Sequence, residues 1–360
     1  MFTNPRVPVL STTGKPLMPT KASRARKMVR DGKAKVVQND LQMFCIQLTY
    51  KTNSENTQPI SIGVDPGSHF TGIAAQSKLA THCGFNLDLP REKVTKRLEE
   101  RAILRRTRRG RRIRRSIPFK LRNHRQKRFS NRKGLEIVPS IKSSKQLELR
   151  IIKEVSKLLP VTHVVVEKIT TSKSKGFTRA VQGNNWLIKQ LIIYYPFLEI
   201  LEFKGHQTFN LRNHLGLSKS KDKEAKDASA HVNDAIALAV SVFRSYKKCN
   251  LTNIADFVGE VNLTSFYFRC VSRLNTRPHK LQVIQFSKGG IRRSYRGSSK
   301  VHSFNNGDLV RYQSKRKTLV GYTQSNDLYN FVKGKWKRIK QLTSDKNLTK
   351  VKNTCNLILS

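Results

Sequence analysis

The sequence is poor in acidic residues. Asp and Glu together number 23 in 360 residues, against 71 Lys and Arg, so the formal net charge is +48. A compact fold with this much positive charge repels itself unless a polyanion neutralises it, and nucleic acid is the usual polyanion. A soluble basic protein with no nucleic-acid function is the alternative, although charge of this size attracts phosphate in any case.

Long hydrophobic runs and paired cysteines are also missing. No run approaches the roughly 18 apolar residues of a spanning helix, so no membrane partner is expected, and Met1–Leu10 lacks the apolar core of a secretory signal. No CxxC pair is present to hold zinc or a redox disulfide. We interpret the cysteines as reduced thiols in a cytosol-like compartment, either a prokaryotic cytosol or an organelle matrix. They are Cys45, Cys83, Cys249, Cys270 and Cys355.

Composition and turn signals divide the chain into five segments, as expected for one catalytic domain with smaller modules. They are a small N-terminal unit with a Ser/Asn/Thr-rich linker (1–58), a three-strand segment (59–90), an arginine-rich segment (91–134), an alternating helix and strand segment (135–250) and a basic segment of short β-like runs (251–360).

The second and fourth segments predict an α/β domain. Apolar runs bounded by turn signals predict buried strands, and apolar stripes at helical spacing predict the helices between them. Three strands followed by α-β-α-β-α is the order of an RNase H-like fold. The predicted elements are strands Ile60–Asp65, Thr71–Ala75 and Thr81–Leu87, a helix near Ser140–Leu159, strand Thr162–Ile169, a helix near Asn185–Tyr195, strand Leu198–Phe203 and helix His231–Tyr246.

An arginine ridge marks the third segment. Nine of the fifteen residues in Arg101–Arg115 are arginine. A helix over this range would align several of them on one face, where they could bridge many phosphates of a nucleic acid. The candidate contacts are Arg101, Arg105, Arg106, Arg108, Arg109, Arg112 and Arg115. Arg24, on a predicted basic helix that begins after Thr20 as its N-cap, is a further candidate.

Two acids stand in apolar strands, where an unpaired charge costs several kcal/mol. Asp65 ends the first strand and Glu167 ends the run Thr162–Glu167. If the two strands are neighbours, both carboxylates emerge at the same end of the sheet. Taken singly, Asp65 before a Pro-Gly pair predicts only a turn, and Glu167 could pair with an arginine. Their joint occurrence favours a catalytic pair.

A third acid, Asp234, opens the last predicted helix, with His231 on the same face three residues earlier. Asp234 could simply favour its helix N-terminus, and Asp227, seven residues before it, is the substitute candidate. Three carboxylates and a histidine that converge on a phosphate predict a hydrolytic site with two divalent ions. Hard oxygen ligands suit Mg²⁺, with Mn²⁺ as the alternative.

The motifs resemble a known group of nucleases. Ile62–Gly72 resembles the first motif of RuvC-type nucleases, Val164–Glu167 the second and His231–Ala235 the third. These three motifs alone would admit Holliday-junction resolvases. The resemblance implies Asp65, Glu167, His231 and Asp234 as catalytic residues, with the three acids as metal ligands.

Other parts resemble the transposon-encoded IscB and IsrB proteins. Val7–Leu10 with Lys15–Pro19 resembles their N-terminal PLMP domain, and Arg101–Arg115 resembles their arginine-rich bridge helix. Near the C-terminus, Gly289–Tyr295 and Gly307–Arg311 also resemble their motifs. The implied architecture is an RNase H-like (RuvC) core with an inserted bridge helix, a small PLMP domain and a C-terminal β-rich domain. In that last domain Arg292, Arg293 and Arg311 are candidate contacts to RNA or DNA.

The chain is similar to IsrB rather than IscB. IscB proteins carry an HNH nuclease between the second and third RuvC motifs, whereas only 63 residues separate Glu167 from His231 here. The resemblance implies a monomeric protein in a ribonucleoprotein, with a guide (omega) RNA and a double-stranded DNA target beside a short flanking motif as partners. It implies nicking of one DNA strand. A guide-independent structure-specific nuclease and a non-catalytic RNA-binding protein remain alternatives.

Overall fold

A computed structural model describes thirteen stretches of the chain: residues 5–52, 55–112, 118, 137–169, 178–219, 228–248, 255–273, 308–312, 316–322, 328–332, 335–338, 348–352 and 357–359. The chain divides into two compact units. The first comprises residues 1–89, 135–272 and 359–360, and the second comprises residues 90–134 and 273–358.

The first unit begins with a four-stranded sheet and one helix. Its strands lie in the order β2-β1-β4-β3, and α1 packs on it through Ala25, Met28 and Val29. Pro16 and Pro19 both lie in β2, which is an edge strand, where the lack of a backbone N–H is tolerated. The elements are β1 (Val7–Leu10), β2 (Pro16–Thr20), α1 (Ala22–Arg30), β3 (Ala34–Gln38) and β4 (Phe44–Leu48).

A larger sheet forms the centre of the first unit. Its strands include, in spatial order, β12-β7-β6-β5-β8-β9. β5, β6 and β7 form an antiparallel meander, while β8 pairs in parallel with β5 and β9 pairs in parallel with β8. This order is that of an RNase H-like fold. The strands are β5 (Ile60–Pro66), β6 (Phe70–Ser77), β7 (Thr81–Asp88), β8 (Val161–Lys168), β9 (Glu199–Lys204) and β12 (Tyr267–Arg273).

Helices cover both faces of this sheet. The close contact of α6 with Gly72 and the hydrogen bond from Thr71 Oγ1 to Glu148 Oε1 of α3 place the two helices on opposite faces, because neighbouring strand residues point in opposite directions. Glu148 is fully buried and is neutralised by Lys145, 2.9 Å away. The helices are α3 (Pro139–Ser156), α4 (Arg179–Tyr194), α5 (Gly205–His214) and α6 (Ala228–Val240).

Two glycines let α6 lie directly against the strands. A Cβ on Gly63 would stand 1.9 Å from the carbonyl oxygen of Ala235, and one on Gly72 would stand 1.9 Å from that of His231. The helix therefore approaches the sheet backbone to backbone. This contact sets the depth at which the first turns of α6 lie over the end of β5.

We expect Gly72→Ala to destabilise the protein by about 1–3 kcal/mol, the usual cost of overpacking, because the helix backbone must move to admit the methyl group. Gly84→Ala is the comparison, since a Cβ there would meet only side chains, Val232 at 2.6 Å and Phe266 at 2.7 Å, and no helix backbone. Urea denaturation of both variants measures the difference. Equal unfolding free energies for Gly72→Ala and the wild type would contradict the close contact.

The second unit contains the arginine-rich helix and a small sheet, each described separately. α2 runs over Arg91–Arg112, so the predicted helix is present up to that residue. The sheet is antiparallel in the order β16-β15-β14-β13-β17. Its strands are β13 (Asp308–Tyr312), β14 (Arg316–Tyr322), β15 (Leu328–Val332), β16 (Lys335–Arg338) and β17 (Leu348–Lys352), and β18 (Leu357–Leu359) follows them.

The structure differs from the sequence-based prediction in several elements. The last helix begins at Ala228 and not at His231, so Asp234 lies in its second turn and does not open it. It ends at Val240 and not at Tyr246, because β10 (Ser245–Lys248) pairs with β11 (Ala255–Val258) and takes up the predicted last turn.

The other differences concern three helices. α4 begins at Arg179, before the predicted Asn185, and α5 was not predicted. The N-cap of α1 is Lys21 rather than Thr20, which lies in β2. In the basic segment with predicted β-like runs, the run Leu281–Phe286 lies outside the described residues.

Buried thiols lie in β4 and β7. Cys45 and Cys83 are free and buried, and burial raises the pKa of Cys45 to about 11 and that of Cys83 to about 12. Such thiols stay protonated and unreactive at neutral pH. Among the described helices, none has the length and apolar character needed to cross a membrane.

Candidate active site

Asp65 and Glu167 meet at one edge of the central sheet. They follow the paired residues Val64 and Val166 of the neighbouring parallel strands β5 and β8, so their side chains emerge side by side. Asp65 is 6% exposed, and a hydrogen bond joins its carboxyl group to that of Glu167. The predicted convergence of these two acids is therefore present in the structure.

The two carboxyl groups have opposite pKa shifts. Burial, the hydrogen bond to Asp65 and the negative charges of Asp65 and Asp234 together raise the pKa of Glu167 to about 8. Burial would also raise the pKa of Asp65, but hydrogen bonds from His231 and Glu167, with the positive charge of Lys219, lower it instead. Two carboxyl groups this close cannot both ionise at low cost, so without another cation they share a proton.

His231 reaches the pair from α6. Its Nδ1 lies 3.3 Å from Asp65 Oδ2, and its ring packs against Phe70 at 5.5 Å between centroids. The backbone contact at Gly72 holds this turn of the helix against the sheet. The structure thus brings His231, one of the predicted catalytic residues, to Asp65.

Asp234 lies one turn further along α6 and is 3% exposed, and two basic side chains bind its carboxylate. Arg212 Nη1 donates to Asp234 Oδ1 at 2.6 Å, and Lys219 Nζ donates to Asp234 Oδ2. Both oxygens of this buried carboxylate are therefore neutralised by the chain itself. Neither Arg212 nor Lys219 was singled out by the sequence analysis.

A pocket of about 340 Å³ opens between Glu167 and Asp234. Two acids line it, and the cations that pair with Asp234 lie beside them. The aromatic ring of Phe209 is 52% exposed, and its centroid lies 5.2 Å from the Arg212 guanidinium. Its lining residues are Glu167, Gly205, Thr208, Phe209, Arg212, Lys219 and Asp234. Such a lining, with a guanidinium and an ammonium beside two acids, can accept an anionic group.

Neighbouring residues support Glu167. Asn184 Nδ2 of α4 donates to the Glu167 carbonyl oxygen at 2.8 Å, which fixes the backbone at the end of β8. Gly205 leaves room for the carboxylate, because a Cβ there would stand 2.8 Å from Glu167 Oε1. The start of α5 is thus shaped around this side chain.

The oxygen ligands at this edge suit a hard divalent cation. A dication between Asp65 and Glu167 would neutralise both groups at once. Among the residues that the structure describes, however, no group of three or more His, Cys, Asp and Glu side chains has the geometry to hold a metal ion. The structure brings two of the three predicted ligands into contact, and Asp234 as the third ligand stays a prediction. Asp227 lies outside the described residues.

The predicted nucleic-acid contacts are spread over several elements. Arg24 on α1, Arg101 and Arg106 on α2 and Arg311 on β13 are exposed. The backbone of α2 also includes Arg105, Arg108, Arg109 and Arg112. Arg115, Arg292 and Arg293 lie outside the described residues. The contacts themselves remain predictions.

Arg212 and Lys219 were missed for a physical reason. They contact Asp234 across 22 and 15 residues of sequence, a distance at which no helical or strand periodicity links them. The available signal was weak: α5 has almost no amphipathic pattern, and a buried arginine beside the buried Leu211 looks like any charged residue in a polar helix.

Comparisons with known proteins give one family match. Residues 7–184, just under half of the chain, match the RRXRR protein family model. The pattern itself occurs three times in overlapping copies, at Arg105–Arg109, Arg108–Arg112 and Arg111–Arg115. A comparison with curated proteins finds no match.

The solved structures that match include RuvC from Thermus thermophilus in complex with a Holliday junction substrate, at 13% identity and a TM-score of 0.29. The match covers 51% of this chain and 92% of that one. The CRISPR-Cas12f ternary complex is similar at 13% identity and a TM-score of 0.34, covering 61% of this chain. The matched region spans about half of the Cas12f chain (49%).

Proposed function

We propose that this protein is an RNA-guided DNA endonuclease that nicks the non-target strand by metal-dependent hydrolysis in a RuvC-type site. The observation that carries the proposal is the contact of Asp65 with Glu167 at the ends of two parallel strands, with His231 on Asp65 and Asp234 across the same pocket. A buried carboxyl pair of this kind costs stability, and its use is to hold a cation beside a substrate.

Asp65, Glu167 and Asp234 would hold Mg²⁺ or Mn²⁺. When bound, the ions lower the pKa of a water molecule and offset the charge that develops on the leaving oxygen. His231, fixed by its contacts with Asp65 and Phe70, is placed to orient the phosphate or the attacking water. The pocket between Glu167 and Asp234 accepts the phosphodiester.

The basic helices would hold the nucleic acid. α1 exposes four basic side chains and has one acid, Asp31, next to its end: Arg24, Arg26, Lys27 and Arg30. α2 separately exposes Arg101 and Arg106. Contacts of this type recognise phosphates and helical shape, so sequence specificity is left to base pairing with a guide. A guide (omega) RNA and a double-stranded DNA target beside a short flanking motif are the proposed partners, with the protein a monomer in the complex.

The RNA that copurifies with the protein tests the guide. We expect one predominant RNA with a constant scaffold, identified by sequencing the RNA bound to protein purified from cells that express the natural locus. Random cellular RNA in its place would favour a guide-independent nuclease or a general RNA-binding protein.

A variant of the arginine ridge tests whether it contacts the RNA. Arg105→Ala, Arg108→Ala and Arg112→Ala combined should weaken RNA binding and reduce its salt dependence by a slope of about one unit for each lost phosphate contact. A filter-binding titration across several salt concentrations measures both quantities. The control replaces Lys93 and Lys96, which lie earlier on α2 and, at about 100° per residue, on a different face from Arg105, Arg108 and Arg112. Unchanged affinity and slope in the ridge variant would mean that the ridge does not contact phosphates.

A further inference from the structure

Asp234 is held by two cations of different mobility. Arg212 lies within α5, and its side chain is 10% exposed, so the guanidinium is a fixed part of the fold. Lys219 lies after the end of that helix, outside any helix or strand, and its side chain is 34% exposed. An ammonium on a flexible stem at the rim of a pocket can leave with little disturbance, whereas the buried guanidinium cannot.

The charge of Lys219 acts on all three acids. Its ammonium donates directly to Asp234 Oδ2. Its positive charge also helps to lower the pKa of Asp65, and it opposes the rise in the pKa of Glu167 without reversing it. The ammonium occupies an oxygen that a divalent ion would need.

We propose that Lys219 is a displaceable internal cation, which neutralises Asp234 until a divalent metal ion takes the same carboxylate oxygen. Arg212 keeps hold of the other oxygen throughout and acts as a positioning residue for Asp234. The released ammonium stays at the rim of the pocket, where a phosphodiester is its nearest new partner. This inference rests on the proposed metal-dependent function, because it assigns the regulation of that same site.

This exchange of the Lys219 ammonium for a divalent ion has a role before metal binds, because the ammonium offsets repulsion among the three acids. Without Lys219, Asp234 would keep its ion pair with Arg212, but one of its oxygens would face the acids Glu167 and Asp65 with no cation against it. With Lys219 in place, the metal ion and the ammonium compete for the same oxygen of Asp234. The apparent affinity for the metal ion is then the intrinsic affinity multiplied by the fraction of time that this oxygen is free.

Two substitutions of Lys219 that should change the Mn²⁺ affinity in opposite directions test the exchange. Lys219→Gln removes the competing charge and should tighten Mn²⁺ binding by about tenfold, if the ammonium occupies the carboxylate about nine-tenths of the time. Lys219→Arg replaces the ammonium with a forked donor that holds carboxylates more firmly, so it should weaken Mn²⁺ binding. A residue with only a structural role would shift both variants in the same direction.

Electron paramagnetic resonance of free Mn²⁺ measures the affinity in the full-length protein assembled with its RNA. The Asp65→Asn, Glu167→Gln double variant on the same RNA gives the background from RNA-bound Mn²⁺. Lys157→Gln is the matched control, because Lys157 also pairs with an acid, Glu154, in a contact that involves none of the residues of the proposed site. Melting temperatures in the presence of chelator check that each variant is folded.

The outcomes separate this inference from the proposed function. Opposite shifts in the Gln and Arg variants, with Lys157→Gln unchanged, support the exchange. Mn²⁺ binding above background that is equal in the wild type and Lys219→Gln overturns the exchange alone. No binding above background in any form overturns the proposed metal site as well.

Discussion

Asp65→Ala and Glu167→Ala should each reduce DNA cleavage by about a thousandfold or more while RNA binding and target binding stay within about twofold of the wild type. The large effect is expected because groups that act as a unit in catalysis lose nearly the whole activity when one is removed. Binding should survive because the contact between the two acids lies at the end of the sheet and no proposed RNA contact depends on it. Cleavage rates in Mg²⁺ and gel-shift affinities on the same preparations measure the two quantities.

A matched acid on a neighbouring strand serves as the control. Glu199 begins β9, at the far end of the strand from the site, and its side chain is 63% exposed in a contact with His163. Glu199→Ala should cleave at the wild-type rate. If Asp65→Ala kept more than a tenth of the wild-type rate, the carboxyl pair would not be the catalytic centre.

Asp234, the third acid, is better tested by a substitution that keeps its shape and its hydrogen-bonding capacity. Asp234→Ala would leave Arg212 buried without its partner, and loss of activity could then reflect loss of folding. Asp234→Asn keeps the shape of the side chain and removes its charge, so its cleavage rate reports on the carboxylate. Full activity in Asp234→Asn with loss of activity in Asp227→Asn would make Asp227 the third ligand.

The proposed site should produce a nick and not a double-strand break. One set of carboxylates and one pocket can hydrolyse one strand, while guide pairing holds the target strand in a heteroduplex and leaves the other strand single and flexible. A supercoiled plasmid with the matched target and flanking motif should become open-circular, with the break on the non-target strand. Negative supercoiling should speed the reaction, because strand exchange is nearly balanced in energy.

Two substrates provide the comparison for this assay. A plasmid without the matched target should remain supercoiled, which separates guided cleavage from general nuclease activity. Duplexes with a label at the end of either strand identify which strand is cut. Rapid linearisation, or equal cleavage of both labelled strands, would refute a single-site nickase and indicate a dimer or a second nuclease centre.

The sequence by itself predicted the sheet and the acid pair. Buried strands appear as apolar runs, and an acid at the end of such a run is uncommon enough to be noticed. The joint occurrence of Asp65 and Glu167, with the resemblance of both segments to RuvC motifs, then predicted the catalytic pair. The parallel pairing of their two strands followed from the order of elements in an RNase H-like fold. The last helix was predicted too long because the apolar residues up to Phe243 continue its pattern, and only the pairing of β10 with β11 ends it.

Only the tertiary structure showed how Asp234 is neutralised and what lines the pocket. Arg212, Lys219 and Phe209 reach the site from α5 and the segment after it, through contacts between residues far apart in sequence. In a chain with 71 basic residues, no local signal distinguishes the two that pair with a buried acid from those that face solvent. That choice is made by packing, because the sheet at Gly63 and Gly72 sets the position of α6 and so decides which cations can reach Asp234.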